Sequence, residues 1–230
     1  LENYLKLFTE ENVFRPIANS AIMAVLATLA NVAFGMAAAF LIARRSFLPR
    51  GVSLGLEVTS ALPFAVPGTV IALSLIIAFN RPTVFTAGQV LVGTFWILPL
   101  AYFIRNIPLV VRFTTAGFQQ FDRSLEEAAL NLGASEWRTF RKVVFPLILP
   151  SIISGALLAL IAALGEFVSS ILLYTYDNRP ISVEILAQLR LYNFGSAAAY
   201  GVLLLVIVAG VSSLAGIWRG RERQAETFVL

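Results

Sequence analysis

Five stretches of this chain are long and apolar enough to cross a lipid bilayer as helices, and no other feature limits its fold as strongly. They cover about residues 21–43, 58–79, 87–104, 147–174 and 197–218 of the 230. Composition agrees, with 58% apolar and 13% charged residues and a mean hydropathy of +0.82. An ordinary soluble domain carries roughly 45–50% and about 25%. The expected fold is all-α, a polytopic membrane bundle of about five spans forming one transmembrane domain over 1–230. Little chain remains for a soluble domain.

Neither cysteine nor histidine is present. That removes disulfides, Cys/His zinc sites, His-ligated haem and every Ser-His or Cys-His nucleophile. Seventeen Lys plus Arg face thirteen Asp plus Glu, and the basic residues are scattered between apolar runs, which gives no stripe for nucleic acid. The segment LENYLKLFTEENVFRP is amphipathic and lacks the basic n-region of a signal peptide. A start at Leu1 is expected for a processed chain or one half of a longer fused one.

Orientation follows from the basic residues, which favour cytoplasmic loops. With the N-terminus outside, the inside segments hold Arg44, Arg45 and Arg50, then Arg105, Arg112, Arg123, Arg138, Arg141 and Lys142, then Arg219, Arg221 and Arg223. Lys6, Arg15, Arg81, Arg179 and Arg190 lie outside. Twelve against five predicts N-out and C-in. On the outer side, residues 5–14 and 181–194 read as short amphipathic helices, the second by its apolar Ile181, Ile185, Leu189 and Tyr192.

The longest inside connection contains FDRSLEEAALNLGASEWRTFRKVVFP, within a segment of about 117–145. Ser124 and Glu127 have capping-box spacing. A first helix would present Leu125, Ala128, Ala129 and Leu132 on a shallow face, and Gly133 would supply the left-handed stop. Ser135 and Glu136 suit the start of a second helix bearing Trp137, Phe140 and Val144. The expectation is a helix-turn-helix elbow between spans three and four. Without further constraint, such a segment could simply lie on lipid headgroups.

Glu127-Ala128-Ala129, Gly133 after three residues, and Val143-Val144-Phe145-Pro146 after nine more resemble the EAA-xxx-G-x9-I-x-L-P signature of permease subunits of ABC-type importers. Val143 and Phe145 replace the preferred Ile and Leu with other apolar residues. The resemblance covers nearly the whole chain. It implies a coupling helix that docks on a cytoplasmic ATPase through Glu127, Ala128, Ala129, Gly133 and Trp137. It further implies two ATP-binding subunits, a second permease half (identical or a fused sister), an extracytoplasmic substrate-binding protein, and a bacterial cytoplasmic membrane as location. No cofactor is expected on this chain, which has no GxxxxGK[ST] loop; ATP would be used by the partner, so the chain is not expected to be an enzyme.

Two features bear on what passes through. Glu166 is an acidic residue deep in the fourth span; it either lines a pathway or makes a structural link, including a pair with an arginine near a span end. Pro63, Pro67 and Gly68 loosen the second span, which signals either a cavity lining or a packing kink. ALPFAVPGTVIALSLI and ALGEFVSSILLYTYDNRPISVEI look most like the second half of ferric-iron permeases. Thiamine, sulfate or molybdate, and phosphonate importers remain alternatives, as does a gradient-driven secondary transporter, which would be expected to carry more intramembrane charges or an inverted repeat.

Overall fold

The computed structural model describes residues 4, 5, 7, 11–43, 49–83 and 86–227. Lys6, Phe8, Thr9, Glu10, Arg44 and Arg45 lie outside the described residues, as do the side chains of Arg219, Arg221 and Arg223. The described residues form helices joined by turns, with no strand among them. In order they are α1 (Glu11–Ala43), α2 (Arg50–Ala65), α3 (Gly68–Phe79), α4 (Ile97–Gln120), α5 (Arg123–Asn131), α6 (Glu136–Thr139), α7 (Phe145–Leu164), α8 (Ser170–Leu173), α9 (Ile181–Arg190) and α10 (Phe194–Thr227). A π-turn, Phe140–Val144, joins α6 to α7.

Among the described residues, four helical stretches are long and apolar enough to cross a membrane: Val13–Ala43, Ile97–Gln120, Glu136–Leu164 and Phe194–Ser213. A fifth crossing is possible only if α2 and α3, bent by 108° against each other, act together. The bend lies at Val66-Pro67. Proline has no N–H and drives its predecessor out of the helical region, and Val66 is extended at φ −95°, ψ 128°. Pro67 then caps α3, its carbonyl accepting the Val70 and Ile71 N–H groups. Pro63 sits inside the last turn of α2.

Two expected boundaries are corrected. Span three was expected at 87–104, yet α4 starts at Ile97 and runs through Arg105 to Gln120. Ala87, Gly88 and Gly93 all have positive φ (50°, 77° and 85°), which an α-helix cannot propagate. Span four was expected to continue to residue 174, yet α7 ends at Leu164, and residues 165–169 turn before the short α8. Glu166 therefore lies in a break between helices. On the second amphipathic segment, Ile181 is buried, but Tyr192 has a φ of 58° and is exposed. The apolar stripe ends before it, because α9 stops at Arg190.

The core is a parallel pairing of α1 and α4 crossed by α7. Near one end Met23, Ala24 and Ala27 pack with Ile97, Leu98, Ala101 and Tyr102. Near the other, Ala39 packs with Phe118, Val144, Ile148 and Ile152. The loop before α9 ties the starting ends together: Asn19 Nδ2 donates to the carbonyls of Asp177 (3.0 Å) and Arg179 (3.1 Å). Asn178 Nδ2 donates to the Thr94 carbonyl (3.1 Å), and Ile181 N–H donates to Ser20 Oγ (2.8 Å). The opposite end carries α5 and α6.

Candidate functional site

The elbow is built almost entirely by local chemistry. Its first helix is capped by Asp122 rather than Ser124: Asp122 Oδ1 accepts the Ser124 N–H at 2.9 Å. The carboxylate is available two residues earlier than the hydroxyl pattern suggested, and a charged acceptor at a helix start also meets the positive end of the dipole. This hydrogen bond holds the Asp122 carboxyl below its ordinary range. At the far end, Gly133 has φ 85°. Ala134 N–H reaches the Ala129 carbonyl (3.1 Å) and Gly133 N–H reaches that of Leu130 (2.9 Å), the paired bonds of a Schellman stop. Ser135 caps α6, its Oγ accepting the Arg138 N–H at 3.4 Å.

The elbow turns Leu132 and Trp137 away from the bundle, while Phe140 and Val144 pack against it. Leu132 is 89% and Trp137 69% exposed, and Trp137 stacks on Phe140 with ring centroids 6.0 Å apart. Glu127 and Ala128 are exposed and Ala129 half-buried. A cavity of about 200 Å³, lined by residues including Phe121, Arg123, Glu127 and Val144, separates α5 from the bundle. One of the links across this gap is Arg123 Nη2 donating to the Ala43 carbonyl at 3.4 Å.

The second cluster lies about eight residues, or roughly 12 Å, into α4. There Arg105 Nε meets Glu166 Oε2 at 2.8 Å. Glu166 Oε1 accepts the Ser169 N–H at 2.9 Å, and the Glu166 carbonyl accepts the hydroxyls of Ser170 (2.7 Å) and Ser182 (2.9 Å). Tyr102 OH and Ser170 Oγ share a hydrogen bond of 2.7 Å. These contacts satisfy the backbone where α7 breaks off. Ser169 Oγ donates to the Gly68 carbonyl at 3.4 Å, so the break after α7 touches the break between α2 and α3. A Cβ on Gly68 would sit 2.5 Å from Arg105 Nη1, so a larger residue there would make the guanidinium shift.

The structure thus brings Glu166 to the broken second span beside Gly68, with Pro67 exposed next to it and Pro63 half-buried within α2. Arg105 was missed as a site residue, having been read as the charge closing span three. A signal was present: Ile107 to Val111 continue the apolar run beyond it.

Residues 14–224 match the profile of the family described as "Binding-protein-dependent transport system inner membrane component". The chain is 31% identical over 214 residues to the ferric transport system permease protein FbpB of Actinobacillus pleuropneumoniae, covering 92% of this chain and 30% of that protein. It therefore spans less than a third of that relative's length. It is 34% identical over 213 residues to a probable sulfate transport system permease protein cysT of Chlorella vulgaris, covering 84% of this chain and 76% of that one. A solved bacterial ABC transporter involved in the import of the acidic polysaccharide alginate superposes with a TM-score of 0.74 at 18% identity, over 96% of this chain and 83% of the other, a likeness of fold.

Proposed function

This chain belongs to the family of inner membrane components of binding-protein-dependent transport systems, and from that premise we propose that it forms half of the translocation pathway of an ATP-driven importer. The observation that carries the reading is the elbow: two capped helices joined at Gly133, standing off the bundle, with Leu132 and Trp137 exposed. Apolar side chains presented this way beside a shallow Ala128-Ala129 face suit a groove on a partner protein better than water.

In this reading two cytoplasmic ATP-binding subunits hydrolyse ATP and this chain hydrolyses nothing. Their closing and opening is transmitted through α5 and α6 to α7, to which the elbow connects through the π-turn. A second permease half, a separate copy or a fused sister, completes the pathway, and an extracytoplasmic binding protein delivers the solute at the α9 end. The basic-residue bias supports an elbow and C-terminus on the cytoplasmic side of a bacterial inner membrane, even after Arg105 and Arg112, both within α4, are withdrawn from the count of loop charges. The ferric relative and the sulfate relative match at similar identity, so ferric iron and oxyanions are both eligible cargo.

Native mass spectrometry of the complex, extracted gently from its membrane, tests the assembly. Two ATPase subunits with two permease halves are expected, and the masses distinguish separate from fused halves. In proteoliposomes, uptake that follows ATP hydrolysis is expected; uptake that follows a proton or sodium gradient instead would replace the importer with a secondary transporter.

A further inference from the structure

Two helical spans lose their regular backbone at one place, and Arg105 sits there. The bend at Val66-Pro67 and the break over residues 165–169 are joined by the Ser169 Oγ bond to the Gly68 carbonyl. Irregular backbone at membrane depth is tolerated against protein or water, not against lipid. The exposed residues around the junction, Phe64, Pro67, Thr69 and Val168, therefore face a sister half or an aqueous path.

The two members of the ion pair are presented unequally. Glu166 is 7% exposed, and each of its carboxylate oxygens has a partner, Arg105 Nε and Ser169 N–H. Arg105 is 31% exposed. Glu166 meets the guanidinium at Nε and Nη1 lies against Gly68; the two Nη groups carry four of the five N–H donors. A solute at this junction meets the cation first, with the carboxylate behind it as a brace. Among the described residues no three acidic side chains gather that could hold a metal ion.

We infer that Arg105 is a substrate-contacting residue of the pathway, held in place by Glu166 and given room by Gly68, and that the solute it passes is an anion bearing oxygen acceptors. The inference rests on the importer reading above. A guanidinium fork matches the paired oxygens of an oxyanion or of a carboxylate chelate, and it repels a bare multivalent cation at close range. Iron on this path would travel as an anionic chelate. Glu166 is then a positioning residue: it orients the fork and touches no solute.

The test uses the complete transporter, with its ATPase subunits, sister half and binding protein, in proteoliposomes. Radiolabelled sulfate, radiolabelled ferric citrate, and ferric ion carried by the binding protein in citrate-free buffer form three arms, which separate a free oxyanion from an anionic chelate and both from the bare cation. ATP-driven uptake in one of the two anionic arms is expected. Arg105→Gln should lower it by about tenfold or more, the scale of a lost charge-assisted hydrogen bond. Arg105→Lys should restore most of the rate while raising KM, since it keeps the charge and loses the fork. Because Arg105→Gln alone strands a buried carboxylate, the double variant R105Q/E166Q carries the same question with no unpaired charge; it should fold and remain defective. Wild-type rates in the double variant, or ATP-driven uptake in the citrate-free arm alone, would overturn the assignment and leave the importer reading intact. Uptake by the wild type that follows a proton or sodium gradient and not ATP, in any arm, would overturn both.

Discussion

Gly35 lies so close to Val110 that a Cβ at position 35 would come within 2.7 Å of Val110 Cγ1. Gly155 presses on the same residue from α7, where its Cβ would meet the Val110 Cα at 3.1 Å. Val110 is thus clasped between two glycines on different helices, and this contact sets how closely α1, α4 and α7 cross. Small residues that let helix backbones approach are a general device of membrane bundles.

Gly35→Ala and Gly155→Ala should each destabilise the protein by about 1–3 kcal/mol, because a stiff β-branched neighbour and a backbone have to give way. Gly55→Ala, within α2, is the control: nothing among the described residues lies within 4 Å of its Cβ position, and replacing a mid-helix glycine gains roughly 0.5–1 kcal/mol. Thermal unfolding in detergent should lower the midpoint for the first two variants and hold or raise it for the third. A stable Gly155→Ala variant would show that the crossing is looser than the contact implies.

Asn31 is buried on α1, and neither its Nδ2 nor its Oδ1 has a hydrogen-bond partner among the described residues; Asn106 Nδ2 on α4 has none there either. An unpaired buried amide costs about 1–3 kcal/mol. Asn31→Leu should therefore raise the unfolding midpoint. A clear drop would mean that a bound water bridges the two amides.

The Asp122 cap makes the elbow sensitive to acid. Its folded-state carboxyl titrates below the ordinary Asp value of 3.8, chiefly because of the Ser124 N–H hydrogen bond. A depressed pKa stabilises the fold fully above the unfolded value and loses that contribution as pH falls through the lower folded value. Hydrogen exchange in α5 should accelerate as pH falls below about 4, relative to Asp122→Asn, whose cap does not titrate. Equal profiles for the two proteins would remove the carboxylate from the cap.

At Gly133 the constraint is conformational. A Cβ there meets nothing within 4 Å, but φ is 85°, and a side-chain-bearing residue in that region costs roughly 1–2 kcal/mol. Gly133→Asn, which tolerates the left-handed region, should retain uptake per ATP hydrolysed. Gly133→Val should lower that ratio, and Gly133→Asp should lower it further by placing a charge on the docking face. Unchanged coupling in the Val and Asp variants would dissociate the elbow from ATPase coupling.

What the chain alone determined follows from interactions between near neighbours. Apolar runs marked membrane helices because their length must match the bilayer. Gly133 and Ser135 marked the elbow because a left-handed stop and a hydroxyl cap act within a few residues. Even there Asp122 displaced Ser124, since two acceptors so close together compete for the same free N–H groups and the sequence does not rank them. Tertiary structure decided the depth and meaning of the charges. Arg105 looked like the end of a span because a lone cation is costly in lipid; Glu166, far along the chain, offsets that cost and allows α4 to continue past it. The same pairing, with Ser170 and Ser182 on the Glu166 carbonyl, satisfies the backbone where α7 breaks off, so a helix expected to run on could stop. Helix ends and buried charges inside a membrane depend on partners supplied by other helices, and no local pattern identifies those partners.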